Sequence, residues 1–259
     1  MVKLAANISM LFNEHDFLSR FGLAAQHGFK GVEYTFPYDY AIDDLKHALV
    51  ESGVKQILHN MPPGDWSAGD RGLACDPSRI IEFRKSVEVT IEYANSLNCQ
   101  IVNCLAGLTP NDISEKEIDQ TLIQNLRYAG EQLRSAGIQL VTEPINSKVD
   151  MPGFYLTGTE QAKSIIDAVG DGLVELQYDA YHMQIMEGHL VKTVQHNLNK
   201  IRHIQIADNP GRHEPGTGEV NYDFFLGFLD QVGYTGWVGA EYRPLGSTTE
   251  GLNWAKKWL

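Results

Sequence analysis

The sequence predicts a closed α/β barrel, (β/α)8, in which eight parallel strands are each followed by helix. Three observations carry this. Short apolar runs rich in β-branched residues alternate with longer amphipathic segments, and eight such units can be counted. The 259 residues, 43% of them hydrophobic, match the roughly 250 residues one such barrel needs. The two longest irregular stretches, Asn60 to Ser78 and Asp208 to Tyr222, both follow a strand, where barrels place their functional loops. No low-complexity or Pro/Gly/Ser linker divides the chain, so residues 1–259 are read as a single domain.

Taken in order, the strand candidates are Leu4 to Ile8, Gly31 to Tyr34, Lys55 to His59 and Ile101 to Leu105. Then come Gln139 to Glu143, Val174 to Tyr178, His203 to Ala207 and Trp237 to Glu241. Helical periodicity fills the intervals, as in Phe17 to Gln26, Ile80 to Leu97, Glu115 to Ser135 and Phe224 to Val232. The helix-to-strand joins share one device. A glycine stands between the last helical turn and the strand in His27-Gly28-Phe29, Ser52-Gly53-Val54, Ala136-Gly137-Ile138 and Val232-Gly233-Tyr234, as a left-handed helix C-cap requires.

Composition removes several functions. With 33 acidic against 21 basic residues, the net charge of −12 opposes the phosphate attraction that drives nucleic-acid binding. The first residues lack a signal-peptide apolar region, and no stretch reaches the roughly 18 apolar residues of a membrane span, so a cytoplasmic protein with no membrane partner is expected. The three cysteines, Cys75, Cys99 and Cys104, have no Cys-x-x-Cys spacing and read as ordinary reduced thiols.

Polar residues close the apolar runs with regularity: Glu33, His59, Glu143, Asp179, Gln205 and Glu241. Residues ending barrel strands converge on one mouth, and carboxylates gathered there repel one another unless a cation joins them. Glu143, Asp179, Gln205 and Glu241, one from each of the last four strands, form the candidate metal site. Their oxygen-only donors suit Mg2+ or Mn2+ better than zinc. A lone acidic residue after a strand can instead cap the next helix, but three acids and a glutamine in four consecutive units argue for a common site. His182, three residues beyond Asp179, and His59 are candidate substrate donors, or else histidines with structural bonds. An anionic substrate needs a cationic anchor, and Arg71, Arg212 and Arg243 lie on mouth loops. Trp66 and Phe12 could wall the pocket or simply pack. Gly216-Thr217-Gly218-Glu219 lacks the lysine and context of a phosphate loop.

At these segments the sequence resembles the hydroxypyruvate isomerase family of the xylose isomerase-like barrels. The most specific blocks are Leu58-His59-Asn60-Met61-Pro62 with Gly64-Asp65-Trp66, Glu143-Pro144-Ile145-Asn146 and Gly153-Phe154-Tyr155-Leu156-Thr157-Gly158-Thr159. Further blocks are Gln177-Tyr178-Asp179-Ala180-Tyr181-His182-Met183-Gln184 and Gln205-Ile206-Ala207-Asp208-Asn209-Pro210 running into Glu214-Pro215-Gly216-Thr217-Gly218-Glu219. The resemblance implies a small hydroxy-keto acid substrate, with hydroxypyruvate and tartronate semialdehyde interconverted. It also implies Glu143 and Glu241 in the proton-transferring positions, with Asp179 and Gln205 completing a metal site. The related ketose 3-epimerases carry a histidine ligand where this chain has Gln205. The expected route is an enediolate, one glutamate removing a C–H proton and the other supplying one to the neighbouring carbon. Isomerisation of a longer 2-oxo sugar acid (2-oxo-tetronate), or epimerisation of a ketose at C3, is the alternative at the same site. A metal-dependent endonuclease and a non-catalytic sugar-binding protein are rivals from other classes. The sequence leaves the oligomeric state, including a homo-oligomer, open.

Overall fold

The computed structural model describes residues 1–170 and 172–259. Its strands are β1 (Lys3–Asn7), β2 (Gly31–Tyr34), β3 (Lys55–Asn60), β4 (Ile101–Cys104), β5 (Gln139–Thr142), β6 (Val174–Asp179), β7 (Ile201–Ile206) and β8 (Trp237–Ala240). All pair in parallel with their sequence neighbours, and β8 returns to β1 through Leu4–Val238 and Ala6–Ala240, closing the barrel. The major helices between them are α1 (Ser19–Gln26), α2 (Ile42–Ser52), α3 (Ile80–Ser96), α4 (Glu115–Ser135), α5 (Thr159–Val169), α6 (Ala180–Met186), α7 (Leu190–Asn197) and α8 (Tyr222–Gln231).

Periodicity explains the outer layer. In α4, Ile118, Leu122, Leu126, Ala129 and Leu133 recur every three or four residues and are buried, while Ser114 starts the helix by accepting the Glu117 backbone N–H. The strands' outward residues, including Leu4, Val32, Val102, Leu140 and Ile204, join that apolar layer. The glycine joins behave as the sequence predicts: Gly28, Gly53, Gly137 and Gly233 all have φ between 70° and 96°.

The barrel interior is different. Barrels of this kind usually fill it with branched aliphatics, whereas here Leu58, Ile101 and Val141 form only a small separate cluster. Buried polar side chains occupy the layers toward the mouth: Asn7, Glu33, Asn60, Asn103, Gln177, His203 and Gln205. Two register shifts help to aim them. Val32 pairs with Gln56 but Glu33 with Leu58, so Ile57 is extra, and Leu176 pairs with Ile201 but Gln177 with His203, so Arg202 is extra.

Glu33 reaches across this interior. Its carboxylate accepts from His203 Nε2 (2.6 Å), Gln205 Nε2 (2.7 Å) and Asn7 Nδ2 (3.1 Å), residues on β7 and β1. A Cβ at Gly239 of β8 would fall on that carboxylate, which is why β8 carries no side chain there. Among the described residues, no helix is long and apolar enough to cross a membrane, and Cys75, Cys99 and Cys104 are free and buried.

Candidate active site

Strand alternation decides which residues reach the mouth. On β5 the inward residues are Val141 and then Glu143, just past the strand end; on β6 they are Gln177 and Asp179; on β8 they are Gly239 and then Glu241. Asp179 also caps α6, its Oδ1 accepting the Tyr181 N–H at 2.8 Å, which places His182 in the first turn. Arg212 comes from the long loop after β7, with a left-handed backbone (φ 60°).

These five side chains meet in one buried group. Arg212 Nη2 lies 2.5 Å from Glu241 Oε2 and 3.6 Å from Asp179 Oδ2, and its Nη1 lies 3.3 Å from Asp150 Oδ1. His182 Nε2 stands 3.5 Å from Asp179 Oδ2 and 4.0 Å from Glu143 Oε1. Amides hold the outer oxygens. Glu143 Oε2 accepts from Gln177 (2.7 Å) and Asn103 (3.1 Å), and Glu241 Oε1 accepts from Asn7 (2.7 Å).

Burial dominates the electrostatics. It raises Glu143 well above the carboxylate range, with Glu241 and Asp179 adding to the rise and Arg212 opposing it. Burial also raises Glu241 and Asp179, opposed in each case chiefly by Arg212. It pushes His182 well down, and Arg212 reinforces that. Burial works against the Arg212 charge, but the surrounding carboxylates, Glu241 first, outweigh it and keep the guanidinium protonated.

The group can hold a divalent cation. Glu143, Asp179 and His182 each offer a ligand atom within 4.8 Å of the others. Glu143 Oε1 and Asp179 Oδ2 are buried without a hydrogen-bond partner, an arrangement that a positive ion would relieve. Gln205, on β7, gives its Nε2 to Glu33 and turns its oxygen toward Gln177 (2.6 Å).

Two candidates have their hydrogen-bond partners outside the carboxylate group. With Leu58 and Asn60 facing inward, His59 faces the helical layer, where its Nδ1 lies 3.1 Å from the Asn60 carbonyl and 3.4 Å from the Tyr38 hydroxyl, and burial pushes its pKa down to about 4. The expectation of a substrate contact from His59 is thereby corrected by strand parity; Asn60, through Asn103, is the β3 residue linked to Glu143. Arg71 stacks on Trp66 (4.1 Å) and donates to the Trp66 and Asp70 carbonyls, partners within its own loop. Phe12 is core, stacked on His27. Sequence reasoning missed the amides Asn7, Asn60, Asn103 and Gln177. The signal was present, since each stands at an inward position near the end of its strand.

Fold and site together define a (β/α)8-barrel isomerase with an acidic, cation-ready mouth. A family model described as xylose isomerase-like TIM barrel matches residues 21–258, and the chain belongs to that family. It is 52% identical to the hydroxypyruvate isomerase of Escherichia coli (strain K12), over 98% of both chains. It is 41% identical to the 2-oxo-tetronate isomerase of Cupriavidus necator, over 100% of this chain and 99% of that one. A Brucella melitensis crystal structure described as AP endonuclease, family 2, superposes with a TM-score of 0.97 at 42% identity, covering 100% of this chain and 99% of the other.

Proposed function

We propose that this protein is a hydroxypyruvate isomerase, interconverting hydroxypyruvate and tartronate semialdehyde by proton transfer between C3 and C2. The observation that carries the reading is the pair of glutamates, Glu143 and Glu241, set around Asp179, His182 and Arg212 in one buried mouth. The 52% identity with a hydroxypyruvate isomerase supports the substrate.

Starting from hydroxypyruvate, one glutamate removes a C3 proton, the electron pair shifts to the C2 oxygen, and an enediolate forms. The other glutamate delivers a proton to C2 while the C3 hydroxyl proton passes to the C2 oxygen, leaving an aldehyde at C3 and a hydroxyl at C2. Arg212, 2.5 Å from Glu241, makes Glu241 the more readily ionised of the two; Glu143, held by neutral amides, keeps its proton more firmly. Thus Glu241 serves as base and Glu143 as acid in this direction, with the roles exchanged in reverse. His182 and Arg212 face the substrate oxygens. Glu143, Asp179, Gln205 and Glu241 are the oxygen donors for Mg2+ or Mn2+, which when bound supplies positive charge to the developing oxyanion. We place the protein in the cytoplasm, acting on a small hydroxy-keto acid.

The test is NMR of hydroxypyruvate in deuterated water. The expected result is isomerisation with deuterium entering carbon-bound positions, and loss of about a hundredfold or more in Glu143→Gln and Glu241→Gln. Near wild-type turnover in both variants would refute the assignment. The 41% identity to a 2-oxo-tetronate isomerase favours one second reading, a four-carbon 2-oxo acid; kcat/KM for the two acids side by side decides between them. Cleavage of abasic-site DNA is the outcome that the net charge of −12 argues against.

A further inference from the structure

His182 has two ring nitrogens with different surroundings. Nε2 faces Asp179 and Glu143, while Nδ1 lies 2.7 Å from Asn146 Nδ2 in the loop after β5. Which nitrogen carries the hydrogen therefore depends on which way the Asn146 amide points.

That orientation is over-determined. Asn146 Oδ1 accepts two backbone N–H groups, from Val149 (2.9 Å) and Asp150 (3.0 Å), so the oxygen cannot change places with the nitrogen without setting donor against donor. Nδ2 then has two hydrogens and two acceptors. One goes to Asp150 Oδ2 at 2.7 Å, and the other is aimed at His182 Nδ1. Asp150 is fixed in turn by the Tyr181 hydroxyl (2.9 Å) and by Arg212. Asn146 is fully buried and His182 nearly so, leaving no solvent to rearrange the pair. An N–H donor facing Nδ1 requires a lone pair there.

We infer that Asn146 is a positioning residue that locks His182 as the neutral Nε2–H tautomer, so the ring donates a hydrogen bond into the site and offers no lone pair to a cation. His182 then drops out of the ligand set although its ring nitrogen lies within reach, and the cation is left with oxygen donors alone. That selects a hard ion. The donation to a substrate oxygen rests on the function proposed above; the tautomer does not.

The test is a long-range 1H–15N correlation spectrum of protein labelled with 15N-histidine, taken without substrate or metal, with His182→Gln used to identify the ring among the nine histidines. The expected pattern for His182 is a protonated Nε2 and an unprotonated Nδ1. Asn146→Ala is expected to release the preference and show the second tautomer. Asn146→Asp should invert it, because a carboxylate accepts from Nδ1–H. A wild-type ring with Nδ1–H, or an Asn146→Ala ring still purely Nε2–H, overturns the proposal; the wild-type spectrum decides even where a variant does not fold. In turnover, Asn146→Ala is expected to lose at least about tenfold in kcat/KM, and no further loss when added to His182→Gln. Additive losses would show that Asn146 does not act through His182, which also overturns it. If the Nε2–H pattern is found but hydroxypyruvate is not turned over, the substrate reading falls and the tautomer assignment stands.

Discussion

Replacing Gly239 with alanine tests the barrel interior most sharply. The added Cβ falls on the Glu33 carboxylate, which His203, Gln205 and Asn7 hold by hydrogen bonds. Moving it sacrifices at least two of its three hydrogen bonds. Bonds to charged groups contribute about 1.5–3 kcal/mol each, so the expected cost is about 3–6 kcal/mol. For a chain of this size that corresponds to a drop in melting temperature of roughly 10 °C. The control is a double-mutant cycle with Glu33→Ala. Once the carboxylate is gone, Gly239→Ala should cost under about 1 kcal/mol, a large non-additivity between residues in direct contact. Thermal and urea melts of the four proteins supply the numbers. A Gly239→Ala protein melting within about 2 °C of wild type, or one equally destabilised in both backgrounds, would refute the steric argument.

Stability should fall between pH 6.5 and 8 in protein freed of divalent ions. Asp179 is pushed up to about 6 and Glu241 to about 8, both chiefly by burial, so the folded state keeps protons that the unfolded chain has released, and stability falls as pH rises toward 8. Below about 6.5 the opposite sign enters, because His59 and His182 stay neutral when folded and take up protons when unfolded. Added Mg2+ or Mn2+ should restore the alkaline side, and a melting temperature that climbs steadily from pH 6.5 to 8 without metal would contradict this. Arg212→Lys, which cannot fork between Glu241, Asp179 and Asp150, is expected to lower kcat about a hundredfold. Arg212→Gln should also lose about 3–5 kcal/mol of stability, read by urea unfolding, as a buried ion pair is broken. Burial pushes Cys75 and Cys99 up to about 12 and Cys104 higher still, so a thiol reagent at pH 8 should label the protein only as it unfolds.

The barrel was legible because its signals are local. Apolar runs, amphipathic helices and the glycines at 28, 53, 137 and 233 each act within a few residues, and the structure places every one of the eight strands within two residues of its expected bounds. Much of the mouth was legible for the same reason, since Glu143, Asp179 and Glu241 end apolar runs, and the structure brings them together with His182 and Arg212. What escaped depends on parity and on partners distant in sequence. His59 and Asn60 are neighbours, and only the count of inward positions through the extra residue Ile57 tells which of them faces the site. Glu33 looks like another mouth acid in sequence, yet it lies deeper, bonded to residues 26, 170 and 172 positions away.

The Gln205–Glu33–Gly239 arrangement also limits how the family can diverge. Gln205 gives an N–H to Glu33 and an oxygen to Gln177 from one planar group, and Gly239 leaves the space in which Glu33 sits. An imidazole at position 205 that gave one nitrogen to a cation would keep a single N–H for Glu33 and no acceptor for Gln177. Changing the donor at position 205 from an oxygen to a nitrogen therefore calls for a matching change among the buried polar residues around it.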